Sequence, residues 1–98
     1  MINSEKTREY FPSLNRVNAS NQQIIYLDGP GGTQVPIQVI EAISQYYIRS
    51  NANTHGEFIT SKETDSIMDD LRLKVAAMLG AKSPNSISIG QNMTTLNY

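Results

Sequence analysis

The sequence of 98 residues contains no cysteine and no tryptophan, and it has a single histidine. Without cysteine, its own residues cannot supply a disulfide framework, a zinc–thiolate site or a thiol nucleophile. The lone histidine, His55, leaves no second imidazole for a metal-binding pair, so we expect no metal site. No apolar run approaches the roughly 18 residues of a membrane-spanning helix, and we expect no membrane partner.

A strong charge of either sign is also missing. Lysine and arginine together number 8 and aspartate and glutamate 9, so the formal net charge is −1. This balance offers no electrostatic footprint for nucleic acid or for an anionic membrane. Hydrophobic residues make up 39% and charged residues 17% of the chain, which is typical of a globular rather than a disordered protein. No secretory signal is recognisable at the N-terminus, and we expect a soluble, cytoplasmic protein.

The first part of the chain predicts an arm, a strand and a helix. Residues 1–23 are polar and weakly patterned, as in an arm that packs as an extended segment or short helix. Residues 24–27 (Ile-Ile-Tyr-Leu) predict a short strand that enters a tight Gly-Pro-Gly-Gly turn. Pro36 then suits the first turn of a helix of about 13 residues, because the amide it lacks would be unpaired there. One apolar stripe of this helix consists of Val39, Ile40, Ile43, Tyr46 and Tyr47.

A second long helix is predicted after a polar loop over residues 50–56. Thr60 and Glu63 stand in capping-box spacing at its start, and Gly80 suits the position just after its end. Residues 86–89 (Ser-Ile-Ser-Ile) predict another short strand, and Asn92 is a candidate N-cap for a further helix. The apolar face of the second helix consists of Ile67, Leu71, Val75 and Leu79.

We therefore predict an α/β chain with two main helices and short strands. Two strands separated by roughly 60 residues do not make a sheet with its own core, and a final helix of about two turns has little reason to form alone. These features indicate an N-terminal arm over residues 1–23, followed by the truncated first portion of a larger domain over residues 24–98. We expect the chain to be incomplete as an isolated domain and to end within a helix.

Three polar loops are candidates for chemistry. The glycines of residues 28–33 allow amides to approach a carboxylate or phosphate closely, although a simple strand-to-helix turn would also use them. His55 is the residue type best suited to proton transfer near neutral pH, although it could instead only structure its loop. Residues 90–94 (Gly-Gln-Asn-Met-Thr) precede a helix whose first amides could bind an anion, or they form an ordinary connection.

Taken together, these segments resemble a known family. Residues 25–36 read Ile-Tyr-Leu-Asp-Gly-Pro-Gly-Gly-Thr-Gln-Val-Pro, two tyrosines follow at 46 and 47, and residues 50–56 read Ser-Asn-Ala-Asn-Thr-His-Gly. With the later Leu-Gly-Ala and the loop at residues 90–94, this pattern resembles the N-terminal region of class V aminotransferases, in particular their cysteine desulfurase-like branch. The family's usual Asn-Ala-Ala-Thr is replaced by Gly-Pro-Gly-Gly at residues 29–32, which leaves the substrate open.

The resemblance implies the type I fold of pyridoxal-phosphate enzymes, with pyridoxal phosphate and a small amino-acid substrate bound by a homo-oligomeric parent enzyme. Gly31 and Gly32 would lie beside the substrate carboxylate, and His55 would line the mouth of the active site. The family's catalytic lysine and its partners lie beyond the matching segment, so we assign no catalytic residue and expect no cofactor bound by this chain alone. The residues implied to bind the cofactor phosphate are Asn92, Met93 and Thr94.

A function of another class stays open beside the enzyme fragment. Both predicted helices carry apolar stripes, and stripes of this size rarely stay bare in solution. The chain could therefore be a non-catalytic interaction module that self-associates through these two helices.

Overall fold

The computed structural model describes residues 2–98, which divide after Ile48 into two compact units. Helices dominate both units, and two short 3₁₀ segments accompany them. No helix within residues 2–98 has the length and apolar character needed to cross a bilayer. The α-helices are α1 (Ser4–Arg8), α2 (Ile37–Arg49), α3 (Ile59–Leu79) and α4 (Met93–Leu96), and the 3₁₀ segments are Pro12–Asn15 and Pro84–Ser86.

The N-terminal arm is a short helix followed by a 3₁₀ turn. The side chain of Asn3 caps α1 by accepting a hydrogen bond from the Lys6 amide at 3.1 Å, which satisfies one of the unpaired amides of a helix start. The arm is tied to α2 because the Ile37 amide donates to the Tyr10 carbonyl at 2.7 Å. This hydrogen bond therefore holds the arm next to the start of α2.

The two short strands predicted from the sequence are not confirmed. Residues 24–27 are not paired into a ladder, and the segment predicted as residues 86–89 begins inside the 3₁₀ turn Pro84–Ser86. Within residues 2–98 the only β-bridge is an antiparallel one between Val17 and Gln23. A β-rich segment becomes a strand only when a neighbouring strand accepts and donates its backbone hydrogen bonds, and the described part of the chain provides no such neighbour.

The first main helix forms as the sequence predicts, with 13 residues in α2 from Ile37 to Arg49. Its apolar stripe, however, lies largely in solvent: Val39, Ile40 and Ile43 are all exposed, and Tyr47 keeps 67% of its surface accessible. The ring of Tyr47 packs edge-on against that of Tyr46, with ring centroids 5.9 Å apart. The stripe is therefore an uncovered apolar surface of this chain.

The second main helix is also confirmed, but its start and its buried face differ from the prediction. Helix α3 begins at Ile59 after Phe58, with no side-chain cap, so the predicted capping box of Thr60 and Glu63 is wrong. Its buried residues are Ser61, Thr64 and Ala76, and the first two form hydrogen bonds to the preceding loop. The predicted apolar face points outward, and three of its four members are exposed, namely Ile67, Leu71 and Leu79.

The end of α3 follows the prediction. Gly80 adopts the left-handed conformation with φ of 68°, and its amide donates back to the carbonyl groups of Ala76 and Ala77. Glycine adopts this conformation without the steric cost of a Cβ atom. The following 3₁₀ segment Pro84–Ser86 contacts α3, and Ser83 caps it by accepting from the Asn85 amide at 3.2 Å.

Candidate functional site

The glycine turn of the first unit is organised around Asp28. Its carboxylate accepts a hydrogen bond from the Gly31 amide at 3.1 Å, and the Gly32 amide donates to the Gly29 carbonyl at the same distance. A Cβ atom on Gly31 would lie 2.5 Å from a carboxylate oxygen of Asp28, and Gly32 has φ of 153°. Gly32 therefore has a backbone conformation that favours glycine, whereas a Cβ atom at Gly31 would displace the Asp28 carboxylate. The resemblance implied that both glycines lie beside a substrate carboxylate.

A shallow cavity of about 290 Å³ lies against this turn within the first unit. Its floor is apolar and is formed by Phe11, Leu14 and Tyr26, while Arg8 provides a positive charge at its edge. The hydroxyl of Tyr26 donates to the Ser13 carbonyl at 3.3 Å, which ties the arm to the segment before the turn. Gly32 faces a space that can accommodate a small ligand.

The loop that contains His55 belongs to the second unit, and Ser61 of α3 forms hydrogen bonds to it. The Ser61 hydroxyl donates to the Asn53 carbonyl at 2.5 Å and accepts from the Gly56 amide at 2.7 Å. Ser61 is completely buried, with 0% of its surface accessible. One hydroxyl on the first turn of α3 thus satisfies two backbone groups that flank His55, which defines the conformation of the loop.

Two further contacts attach the start of the loop to α3. The buried hydroxyl of Thr64 is shared between the carbonyl groups of Ser50, at 2.9 Å, and Thr60, at 3.0 Å. The Ser50 hydroxyl donates to the Glu63 carboxylate at 2.5 Å. Glu63 therefore receives a hydrogen bond from the loop instead of completing the predicted capping box.

His55 itself is fixed by Asp65. The His55 amide donates to both carboxylate oxygens of Asp65, each at 3.0 Å, and its Nδ1 lies 3.4 Å from one of them. His55 is one of two non-glycine residues with positive φ within residues 2–98, at 65°. This conformation costs about 1 kcal/mol or more for a residue with a Cβ atom, and the contacts with Asp65 offset the cost.

The imidazole of His55 opens onto a cleft of about 320 Å³ in the second unit. The cleft is lined by Thr54, Met68, Asp69 and Arg72 in addition to His55 and Asp65. No cluster of three or more histidine, aspartate or glutamate side chains suited to a metal ion occurs within residues 2–98. The polar groups that line the cleft are an imidazole, a hydroxyl, a guanidinium group and two carboxylates.

The third candidate loop leads into α4. The Asn92 side chain caps this helix, because its Oδ1 accepts from the Thr95 amide at 2.9 Å and from the Thr95 hydroxyl at 3.0 Å. The prediction of an N-cap at Asn92 is thus confirmed. The amides of Met93 and Thr94 have no intrahelical acceptor, since no earlier helical turn precedes them.

The residues at this helix start fit one wall of a phosphate site. The amides of Met93 and Thr94 belong to the first turn of α4, and amides without intrahelical acceptors are suitable donors to an anion. Residues 90–98 contain no acidic side chain that would repel a phosphate, and they contain no lysine or arginine. The wall therefore offers backbone donors rather than side-chain charge.

The predicted site residues lie on three separate loops. Gly31 and Gly32 belong to the first unit, whereas His55 and residues 92–94 belong to the second. The sequence analysis missed the role of Ser61, Thr64 and Asp65, which hold the His55 loop. Their spacing of three and four residues on one helical face was a usable signal, but the apolar side of α3 dominated the prediction.

The similarity of this chain to known proteins extends over all three candidate loops. The model of the family described as "Aminotransferase class-V" matches residues 25–96. The chain is 33% identical over 93 residues to a probable cysteine desulfurase of Streptomyces coelicolor and 38% identical over 88 residues to one of Vibrio cholerae. These alignments cover 94% and 89% of the chain.

A third relative, a probable cysteine desulfurase of Halobacterium salinarum, is 33% identical over 94 residues, which are 95% of the chain. The chain spans only about a fifth of the length of these curated relatives, 22% for the first two and 23% for the third. The family match includes the glycine turn, the His55 loop and the start of α4. By this match, the chain belongs to the class-V aminotransferase family.

Proposed function

We propose that this chain is the N-terminal part of a cysteine desulfurase-like, pyridoxal-phosphate-dependent enzyme that acts on a small amino acid. The observation that carries the proposal is the family match over residues 25–96, which includes every site residue named from the sequence. The geometry of the α4 start supports it, because backbone donors without intrahelical acceptors are available there. The proposal further places the parent enzyme in the cytoplasm as a homo-oligomer.

Each loop has a separate task in this proposal. The amides of Met93 and Thr94 donate to the cofactor phosphate, while the Asn92 cap holds the helix start in place. Gly31 and Gly32 bring bare backbone beside the substrate carboxylate, and His55 lines the mouth of the site. Pyridoxal phosphate supplies the electron-withdrawing ring that makes bond cleavage at the substrate carbon possible.

We further propose that the 98-residue chain is inactive by itself. None of its lysines lies on one of the three candidate loops, since Lys6 is in α1, Lys62 and Lys74 are in α3, and Lys82 follows α3. Lys62 and Lys74 form exposed ion pairs with Glu57 and Asp70. A lysine that binds the cofactor and the groups that tune its ring are required for the chemistry.

The test is an NMR titration of the chain with pyridoxal phosphate, with pyridoxal as the matched control. Both compounds react with surface lysines, but only the first carries a phosphate. We expect the amide signals of Met93 and Thr94 to move with pyridoxal phosphate and not with pyridoxal. The substitution Asn92→Ala removes the cap and should weaken this response.

Two results would count against the proposal. If Met93 and Thr94 respond equally to both compounds, or to neither, the phosphate wall is not at the α4 start. If the chain alone converts L-cysteine to L-alanine with added cofactor, the proposal of inactivity is wrong.

A self-associating, non-catalytic module is the second candidate, and the exposed apolar surface of α2 favours it. Val39, Ile40 and Ile43 all lie in solvent, and a contiguous surface of this kind marks an interaction site. Light scattering over a dilution series tests it, with Ile43→Lys as the disrupting variant and Glu41→Lys as the control on the same helix. A cooperative, monomeric chain at every concentration would contradict this candidate.

A further inference from the structure

Asp65 contacts both the backbone amide and the imidazole of His55. The Asp65 carboxylate lies on the first turns of α3 and is partly buried, with 29% of its side-chain surface accessible. The imidazole is 88% accessible. A firmly held carboxylate thus faces an open ring, with the backbone amide of His55 bonded to both of its oxygens.

The distance between the ring and the carboxylate favours one form of neutral histidine. Nδ1 of His55 lies 3.4 Å from Oδ1 of Asp65. If Nδ1 were unprotonated, its lone pair would face a negatively charged oxygen, whereas a proton on Nδ1 is attracted to that oxygen. The partner of one ring nitrogen commonly decides which nitrogen carries the proton. The neutral ring should therefore keep its proton on Nδ1 and leave a free lone pair on Nε2.

The ion pairs of Lys62, Arg72 and Lys74 involve carboxylates other than Asp65. Arg72 lies 3.5 Å from Asp69, its neighbour one helical turn earlier. Lys74 pairs with Asp70 at 2.6 Å. Asp65 is thus the carboxylate that both the backbone and the side chain of His55 contact.

We propose that Asp65 is a positioning residue for His55, which holds the imidazole with Nδ1 protonated and presents Nε2 as a hydrogen-bond acceptor. The ligand group that such an acceptor recognises is a donor, such as the ammonium or thiol group of a small amino acid. The identity of the ligand rests on the proposed function, whereas the state of the imidazole does not.

The test uses the fact that the chain has one histidine. A long-range proton–nitrogen correlation spectrum of the whole chain, recorded where the imidazole is neutral, shows two ring nitrogens and no others of this type. We expect the wild-type spectrum to show a protonated Nδ1 and an unprotonated Nε2. In Asp65→Asn, one acceptor becomes an NH₂ donor, so we expect loss of the Nδ1-protonated signals and appearance of Nε2-protonated ones.

The matched control is Asp70→Asn, which makes the same change of charge on the same helix at a carboxylate that pairs with Lys74. It should leave the histidine signals unchanged. A wild-type spectrum with Nε2 protonated, or an Asp65→Asn spectrum identical to that of the wild type, overturns the proposal. The wild-type measurement decides the matter even if Asp65→Asn fails to fold. The titration with pyridoxal phosphate monitors the amides of Met93 and Thr94, whereas this test monitors the ring nitrogens of His55. Failure of the proposed function is therefore distinguishable from failure of this proposal.

Discussion

Replacement of Ser61 by alanine should loosen the His55 loop and lower the stability of the second unit. The Ser61 hydroxyl reaches both sides of His55, by donating to the Asn53 carbonyl and accepting from the Gly56 amide. Because Ser61 is fully buried, no water can replace the hydroxyl without rearrangement. The substitution removes two hydrogen bonds and adds no bulk.

The expected magnitude follows from these two hydrogen bonds. Each contributes about 1 kcal/mol to the free energy of unfolding, which gives a loss of about 2 kcal/mol. Alanine is the better helix former by about 0.5 kcal/mol, so the net loss at Ser61 is about 1.5 kcal/mol. Ser66 is exposed on the same helix, and Ser66→Ala should show the propensity gain without the loss.

The assay is urea unfolding of both variants, followed by the circular dichroism of the helices. Both substitutions change helix propensity in the same way. The difference between the unfolding free energies of Ser61→Ala and Ser66→Ala therefore gives the contribution of the two Ser61 hydrogen bonds. We expect this difference to be about 2 kcal/mol. If the two variants unfold within 0.5 kcal/mol of each other, a range usual for neutral surface changes, the hydroxyl does not hold the loop.

Three further substitutions, one of them with a matched control, test local features. Gly80→Ala should destabilise α3 by about 1 kcal/mol, because Gly80 has positive φ. The control Gly29→Ala has open space around the new Cβ. Its free energy of unfolding, measured by the same urea unfolding, should stay within about 0.5 kcal/mol of the wild type. Asn92→Ala should remove about 1 kcal/mol from the start of α4, and faster amide hydrogen exchange there would report it; unchanged exchange would contradict the cap. Gly31→Ala should displace the Asp28 carboxylate, which lies 2.5 Å from the new Cβ, and should shift the amide signals of the turn; an unchanged turn spectrum would contradict the steric argument.

Much of the helical structure is readable from the sequence because it depends on neighbours within about one turn. Apolar spacing and a preceding proline locate α2, and its 13 residues agree with the prediction. Gly80 marks the end of α3 by its backbone freedom, and Asn92 marks the start of α4 by its side-chain acceptor. Such signals need no distant partner. The resemblance to class V aminotransferases was also readable, and the family comparison confirms it.

Tertiary structure decided what depends on partners farther along the chain. The β-rich residues 24–27 do not form a strand, because a strand needs a neighbour that the alternation of residues cannot supply. The buried side of α3 is polar where it meets the loop, since Ser61 reaches Asn53 and Asp65 reaches His55 across eight and ten positions. The sequence by itself identified the helices and His55 as a candidate, while only the folded chain showed which face of α3 holds that histidine.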